Sequence, residues 1–484
     1  MRWLTRGHDV RFLLVVILLG IGLRLIHLID TSHYHILGAD SYYFHYLAKQ
    51  ALVGESTRLT GSGLVHPLAW LADVSSLYIA SCVVPVFVYI VGCVGVWFGV
   101  GRLYSRSVAV GAVVSYTIIP LSILITAAGY LDRDGGTVVL MVALVLGWYS
   151  LRSRTILSFF WALIIIEVIS IYWSPVTRWV PIAMVSALAI TYYAAHKERY
   201  KIDSFVGLSL MACVVSAAIG VIVDGLGTTS TVGSTAIEGI SGDTHIVELS
   251  HATPAHLLVM YSYALVTGIV GGIMMARRRA PEDLMVLVWL AGTLIIGMVI
   301  QRVLILAIPA GVIVSGIGLV VIYQETRKML QDLRARTVYV AVAGVIGLVL
   351  AFTGWQAYHL SSVDRMAPNS DWQDALRYLR ENTNPDAKVL SHWGYGYWIQ
   401  DLADRKPAAA GGPRYESEME TICSATKCHN VKDVMENLQT DYLILDTRHV
   451  DGDYVCSGIW FGDVVITLRR PPPADPPGAA HIHE

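Results

Sequence analysis

Apolar residues fill the first three quarters of the chain in long runs, broken by short polar stretches, and the pattern changes near residue 358. Runs close to the ~20 residues needed to cross a bilayer fall at about 11–30, 78–101, 107–127, 136–151, 155–172, 179–195, 204–223, 256–276, 284–300, 303–323 and 337–357. That pattern predicts about eleven membrane-spanning helices. Beyond it the period shortens and mixes. "DWQDALRYLREN" sets Trp372, Leu376 and Leu379 at helical spacing, whereas "AKVLSHW" and "DYLILD" read as short strands. The end, "RRPPPADPPGAAHIHE", is proline-rich and expected to be disordered. The expected division is therefore a membrane domain over 1–358, a smaller external α/β domain over 359–470, and a tail over 471–484.

Composition agrees with the run lengths. The chain is 55% hydrophobic and only 15% charged, with a mean hydropathy of +0.55; soluble domains carry about 25% charged residues. A net charge of −2 offers no electrostatic footprint for nucleic acid. Six cysteines are too few and too scattered for a disulfide scaffold or a zinc site. Cys82, Cys93 and Cys213 sit in apolar runs, while Cys423 and Cys428 lie in the polar part, where an oxidising compartment would allow a bridge. No small-residue cleavage site follows the first run, which reads as a retained span.

Loop charge sets the sides. Alternate loops, from Arg2, Arg6 and Arg11 through Arg277–Arg279 to Arg334 and Arg336, hold seventeen Lys and Arg. The opposite loops hold five: Lys49, Arg58, Arg133, Arg178 and Arg302. The positive-inside rule makes the first set cytoplasmic. The expectation is a multi-pass protein of the plasma membrane, with a cytoplasmic N-terminus and an external C-terminal domain.

Three loops on the external side carry acids: "GADSYYFHY" (38–46), "GYLDRDGG" (129–136) and "EGISGDTHIVELSHATP" (238–254). Asp132 and Asp134 form an Asp-x-Asp pair beside glycines. Asp40 could equally be a helix N-cap for "SYYFHYLAKQAL". Glu248 is an acid in the apolar setting "HIVEL". Carboxylates suit hard cations such as Mg²⁺ and Mn²⁺, and acids gathered on one face suggest a metal site at the lipid–water boundary that could stabilise a phosphate leaving group. Arg302, in "QRVLILAIPAG", reads either as a snorkelling arginine or as a clamp for phosphate or a peptide carbonyl. Glu167 reads as a buried partner or a polar lining residue.

In this setting the chain resembles the catalytic subunit of oligosaccharyltransferase, in its single-subunit archaeal and bacterial form. The first external loop has an Asp before aromatics (Asp40), the second an Asp-x-Asp after Gly-Tyr (Asp132, Asp134), and a later one a Glu in "HIVE" (Glu248), with Glu238 in "STAIE" as its competitor. "QRVLILAIPAG" resembles the family's loop arginine. The Trp-Trp-Asp-Tyr-Gly signature aligns with His392, Trp393, Gly394, Tyr395 and Gly396, so the first Trp is His and the Asp is Gly here.

The resemblance implies a C-type glycosyltransferase membrane domain of 11–13 spans. It also implies metal-dependent, inverting transfer of a glycan from a polyprenyl (dolichyl) phosphate or pyrophosphate carrier to the Asn of an Asn-x-Ser/Thr acceptor or a variant of it, by a single subunit. Asp40, Asp132 and Glu248 would be catalytic and, with Asp134, would hold Mn²⁺ or Mg²⁺. Residues 392–396 and Arg302 would meet the acceptor peptide. In the family the Trp-Trp-Asp cluster bonds the hydroxyl two residues after the acceptor Asn. Three rival readings stand beside this one: the same fold acting on a lipid, a glycan or another peptide motif; a transporter or flippase of lipid-linked sugar; and a catalytically dead paralogue. The second is weakened because the ionisable groups lie at the outer rim and not near the bilayer midplane.

Overall fold

The computed structural model describes residues 6–29, 36–54, 65–131, 252–299, 301–329, 368–408, 435–446, 459–461 and 464–468, with shorter helical pieces between 160 and 217 and between 348 and 356. The chain divides into two compact units, one of residues 1–31 and 58–362, the other of 32–57 and 363–484. Apolar patterning placed residues 32–57 with the spans around them. Their contacts place them with the C-terminal part.

The first unit is helical. Its described helices are α1 (Arg6–Leu25), α3 (Val65–Val74), α4 (Leu77–Leu103), α5 (Arg106–Ile118), α6 (Pro120–Ile125), α7 (Pro254–Tyr261), α8 (Tyr263–Arg278), α9 (Pro281–Val299) and α10 (Ile308–Met329). Segments 77–103, 282–299 and 303–328 are apolar and long enough to cross a membrane. In α4 both faces are apolar: Ile79, Val83, Phe87, Val91, Val94 and Phe98 are exposed, while Val84, Tyr89, Cys93, Val96 and Val100 are buried. Only a hydrocarbon solvent suits the first set.

Several expected spans are interrupted, each for a local reason. Pro120 has no N–H to continue α5 and begins α6 instead. Ser262, at φ 48°, separates α7 from α8. Ahead of Pro309 the chain runs as a 3₁₀ segment over Gln301–Ala307. Side chains support that segment: Tyr261 Oη donates to the Leu304 carbonyl, and Trp289 Nε1 donates to that of Leu306 at 2.8 Å. Three helices meet through hydroxyls, with Ser115 Oγ 2.9 Å and Thr267 Oγ1 2.6 Å from Ser315 Oγ. Glycine permits the approach: a Cβ on Gly318 would stand 1.8 Å from the Thr267 carbonyl oxygen.

The second unit combines α2 (Ala39–Leu52), α11 (Ser370–Asn382) and α12 (Gly396–Leu402) with five strands: β1 (Lys388–Leu390), β2 (Lys406–Pro407), β3 (Tyr442–Asp446), β4 (Ile459–Phe461) and β5 (Val464–Leu468). The sheet order is β2-β1-β3-β5-β4. β1 pairs parallel with β2 and β3, and β5 pairs antiparallel with β3 and β4. The helix expected in "DWQDALRYLREN" is present and buries Trp372, Leu376 and Leu379. Asn369 caps it, accepting from the Trp372 N–H at 3.0 Å. Its other end is closed by the buried Arg405, whose Nη2 donates to the carbonyls of Arg380 at 2.7 Å and Thr383 at 2.8 Å.

Candidate functional site

In the second unit the expected strand "AKVLSHW" stops at Leu390. Trp393–Tyr395 then form one 3₁₀ turn, and α12 starts at Gly396. The stretch 392–396 is therefore the strand-to-helix turn at the end of β1, where the backbone leaves the ladder. His392 is exposed, and its Nδ1 accepts the Gly394 N–H at 3.2 Å. With Nδ1 accepting, a neutral His392 carries its proton on Nε2, which makes that atom a donor. A Cβ on Gly394 would lie 3.2 Å from Nδ1 and 3.6 Å from Cε1 of His392. Glycine at 394 thus leaves the imidazole its place over the backbone. Tyr395 leans on Trp372, with ring centroids 4.4 Å apart, and on Trp398, 5.0 Å away.

Helix α2 packs against α12. Gly38, at φ 87°, is its N-cap, so Asp40 is not the cap but the second residue of the first turn, where a carboxylate gains from the helix dipole. Tyr42, His45 and Lys49 follow at helical spacing on one face. Tyr42 meets Trp398 with ring centroids 6.2 Å apart. His45 Nδ1 stands 2.8 Å from Asp401 Oδ2, and Lys49 Nζ lies 2.7 Å from Asp401 Oδ1 and donates to the Asp401 carbonyl at 2.9 Å. The Asp401 side chain is wholly buried. The sequence reading missed this cluster. Its available signal was an acid inside the largely apolar "GYWIQDL", with a His and a Lys four apart in the first loop.

In the first unit, residues 126–131 lead into Asp132. Gly129 takes φ 81°, the Ala128 N–H donates to the Arg24 carbonyl at 3.0 Å, and the Gly129 N–H donates to that of Ser81 at 3.1 Å. Arg24 is fully buried below this turn. Its Nε donates to Thr126 Oγ1 at 2.6 Å, Nη1 to the carbonyls of Gly20 at 3.0 Å and Thr117 at 3.3 Å, and Nη2 to Ser122 Oγ at 3.2 Å. Arg302 falls in the 3₁₀ segment 301–307. Ser216 Oγ donates to Glu167 Oε1 at 2.6 Å, which gives that membrane acid a partner. Asp132, Asp134, Glu238 and Glu248 lie outside the described residues, as do Cys423 and Cys428. Of Asp40, Arg302 and Trp393 only the backbone is described. No cluster of three metal-ligating side chains occurs among the described residues.

No family model matches the chain. Dolichyl-phosphooligosaccharide-protein glycotransferase 2 of Pyrococcus furiosus is 32% identical over 114 residues, which are 23% of this chain and 14% of that protein. The chain is a homologue of oligosaccharyltransferase catalytic subunits. The matched part thus spans about one seventh of that relative's length. Among solved structures, the archaeal oligosaccharyltransferase AglB from Archaeoglobus fulgidus, in complex with an inhibitory peptide and a dolichol-phosphate, superposes with a TM-score of 0.68 at 15% identity, over 92% of this chain and 70% of that one. Another structure of the A. fulgidus enzyme is a complex with Zn and sulfate. ArnT from Cupriavidus metallidurans bound to undecaprenyl phosphate gives a TM-score of 0.60 at 13% identity, over 98% of this chain. The fold of this oligosaccharyltransferase homologue is that of the C-type glycosyltransferases, and it is a multi-pass membrane protein.

Proposed function

We propose that the chain transfers a glycan from a polyprenyl-phosphate or -pyrophosphate carrier to the side-chain nitrogen of Asn in an acceptor polypeptide, outside the membrane and as a single subunit. The observation that carries this reading is that Asp40's helix and the 392–396 turn, far apart in sequence, fold into one unit, while the chain shares homology with glycotransferases of this class. The A. fulgidus complexes with dolichol-phosphate and with peptide support the same two partner classes.

The resemblance assigns Asp40, Asp132, Asp134 and Glu248 to a divalent cation, and carboxylate oxygens are the donor type that suits Mn²⁺ or Mg²⁺; a Zn complex of a structural relative supports a divalent ion in general terms. Once bound, such a cation supplies positive charge against the departing phosphate. The remaining chemistry belongs to the chain. Carboxylates beside the Asn amide polarise its nitrogen, which is otherwise a poor nucleophile, and attack from the face opposite the phosphate inverts the anomeric carbon. The 392–396 turn holds the acceptor. His392 presents an N–H donor where relatives have an indole, and Gly394 offers no carboxylate. Arg302 meets acceptor or donor phosphate from its 3₁₀ segment.

The test is purified protein with a lipid-linked glycan and two peptides, one with Asn-x-Thr and one with Gln replacing the Asn. Transfer to the first alone supports the reading. Consumption of donor without transfer to either peptide favours a different acceptor on the same fold.

A further inference from the structure

Asp401 stands at the centre of a buried polar cluster in the second unit, and the catalytic reading gives it no task. Its carboxylate is wholly buried yet meets His45 at 2.8 Å and Lys49 at 2.7 Å, both from a helix about 350 residues earlier. A buried carboxylate without partners is costly, so the site holds together only while α2 stays in place. Lys49 also reaches the Asp401 carbonyl at 2.9 Å, closing one of the orphan acceptors at the C-terminal end of α12.

The contacts run in one line. Asp40 lies two residues before Tyr42, Tyr42 touches Trp398, and Trp398 touches Tyr395 inside the 392–396 turn. Tyr43 adds a second contact, its ring 4.9 Å from that of Tyr397. Aromatic packing alone leaves α2 free to slide, because such contacts tolerate many ring geometries. The Asp401 grip fixes register, since two donors on one helix face accept only one placement of the carboxylate.

We infer that Asp401, held by His45 and Lys49, is a positioning residue that locks α2 to α12, so that the Asp40 end of α2 and the 392–396 turn move as one piece and present a preformed acceptor surface. This rests on the proposed function for the identity of the acceptor. The lock sets how tightly the acceptor peptide binds at the 392–396 turn and, through the Asp40 end of α2, how well that carboxylate is placed against it.

Lys49 is the residue to change, because its side chain is 44% exposed and tolerates replacement, whereas Asp401→Asn strips a buried site. Full-length Lys49→Met, Lys49→Arg and His45→Gln are compared with wild type in two assays. The first measures the Kd of a fluorescent peptide bearing Gln in place of the acceptor Asn, with kcat and both KM values for the reactive peptide and donor lipid. Lys49→Met is expected to raise peptide Kd and KM about tenfold, the size of one lost charge-assisted hydrogen bond, with any fall in kcat smaller than that rise. Lys49→Arg is expected to restore tight binding, and His45→Gln to fall between. The second assay is amide hydrogen exchange, in which residues 39–52 and 396–402 are expected to lose protection together in Lys49→Met. Unchanged peptide Kd, a fall in kcat alone, or loss of protection in only one helix would overturn the inference. A wild type that binds no Asn-type peptide defeats the proposed function and the acceptor claim with it, while the exchange experiment decides the lock on its own terms.

Discussion

The guanidinium of Arg24 lies 3.5 Å from the centroid of the Tyr89 ring, fully buried and paired with no carboxylate among the described residues. Such a charge inside a membrane domain is normally matched by an acid. Here the match is made by helix ends. The Thr117 carbonyl belongs to the last turn of α5 and that of Ser122 to the last turns of α6. Both face the negative pole of a helix dipole, and Tyr89 adds the negative face of its ring.

Removing Arg24 therefore leaves several buried acceptors without donors, each worth about 1–3 kcal/mol. Arg24→Met is expected to lower the unfolding temperature in detergent sharply, by more than Tyr89→Leu, which removes the ring face. Tyr89→Phe keeps that face and loses the hydroxyl contact with Thr117 at 2.9 Å; it is expected to cost only about 1 kcal/mol. A Tyr89→Phe protein less stable than Arg24→Met would reverse this ranking. Arg24→Met is also expected to lose transfer activity, because the Arg24 side chain holds Thr126 and Ser122 at the start of the turn leading to Asp132.

Metal removal tests the carboxylate set. Dialysis against EDTA is expected to abolish transfer, and Mn²⁺ or Mg²⁺ to restore it. Full activity in a preparation shown to be metal-free would reject the site.

Glu248 and Glu238 compete for the third acidic position. Glu248→Gln is expected to lose transfer activity by orders of magnitude at equal expression, and Glu238→Gln to retain it. The opposite result assigns the role to Glu238. Both are read by product formation per mole of folded protein.

Acceptor reading should be looser than in relatives with a carboxylate at position 394. A hydrogen bond to a charged group contributes roughly 1.5–3 kcal/mol, so its absence narrows the preference for Thr over Ala about ten- to a hundred-fold. His392→Ala should narrow it further, because the Nε2 donor goes too. Gly394→Asp is expected to widen the Thr-over-Ala ratio of transfer rates. The backbone at 394 is not in the left-handed region, and His392 need shift by only a few tenths of an ångström to admit a Cβ. A wild-type ratio already as steep as in such relatives would assign the missing role to another residue.

Much of this molecule follows from local pattern. Trp372, Leu376 and Leu379 determine a helix and its buried face, the apolar run 77–103 determines a span, and Pro120 and Pro309 determine where two helices start. Each rests on neighbours within one or two turns, where side-chain period and the missing proline N–H act directly. The Asp-x-Asp at 132–134 and the altered motif at 392–396 are legible in the same way, as short strings of residue types. Nothing local tells that residues 32–57 leave the spans on either side and join the C-terminal unit, or that His45 and Lys49 hold Asp401, because a lone acid in "GYWIQDL" reads as a solvated helix residue until its partners are known. Nor does the sequence show why Arg24 is tolerable, since three of its five hydrogen-bond acceptors are carbonyls, which every residue carries. Those relationships depend on which helix ends and faces meet after packing. Tertiary structure decided them because a buried charge is stable only where donors and acceptors from distant segments converge.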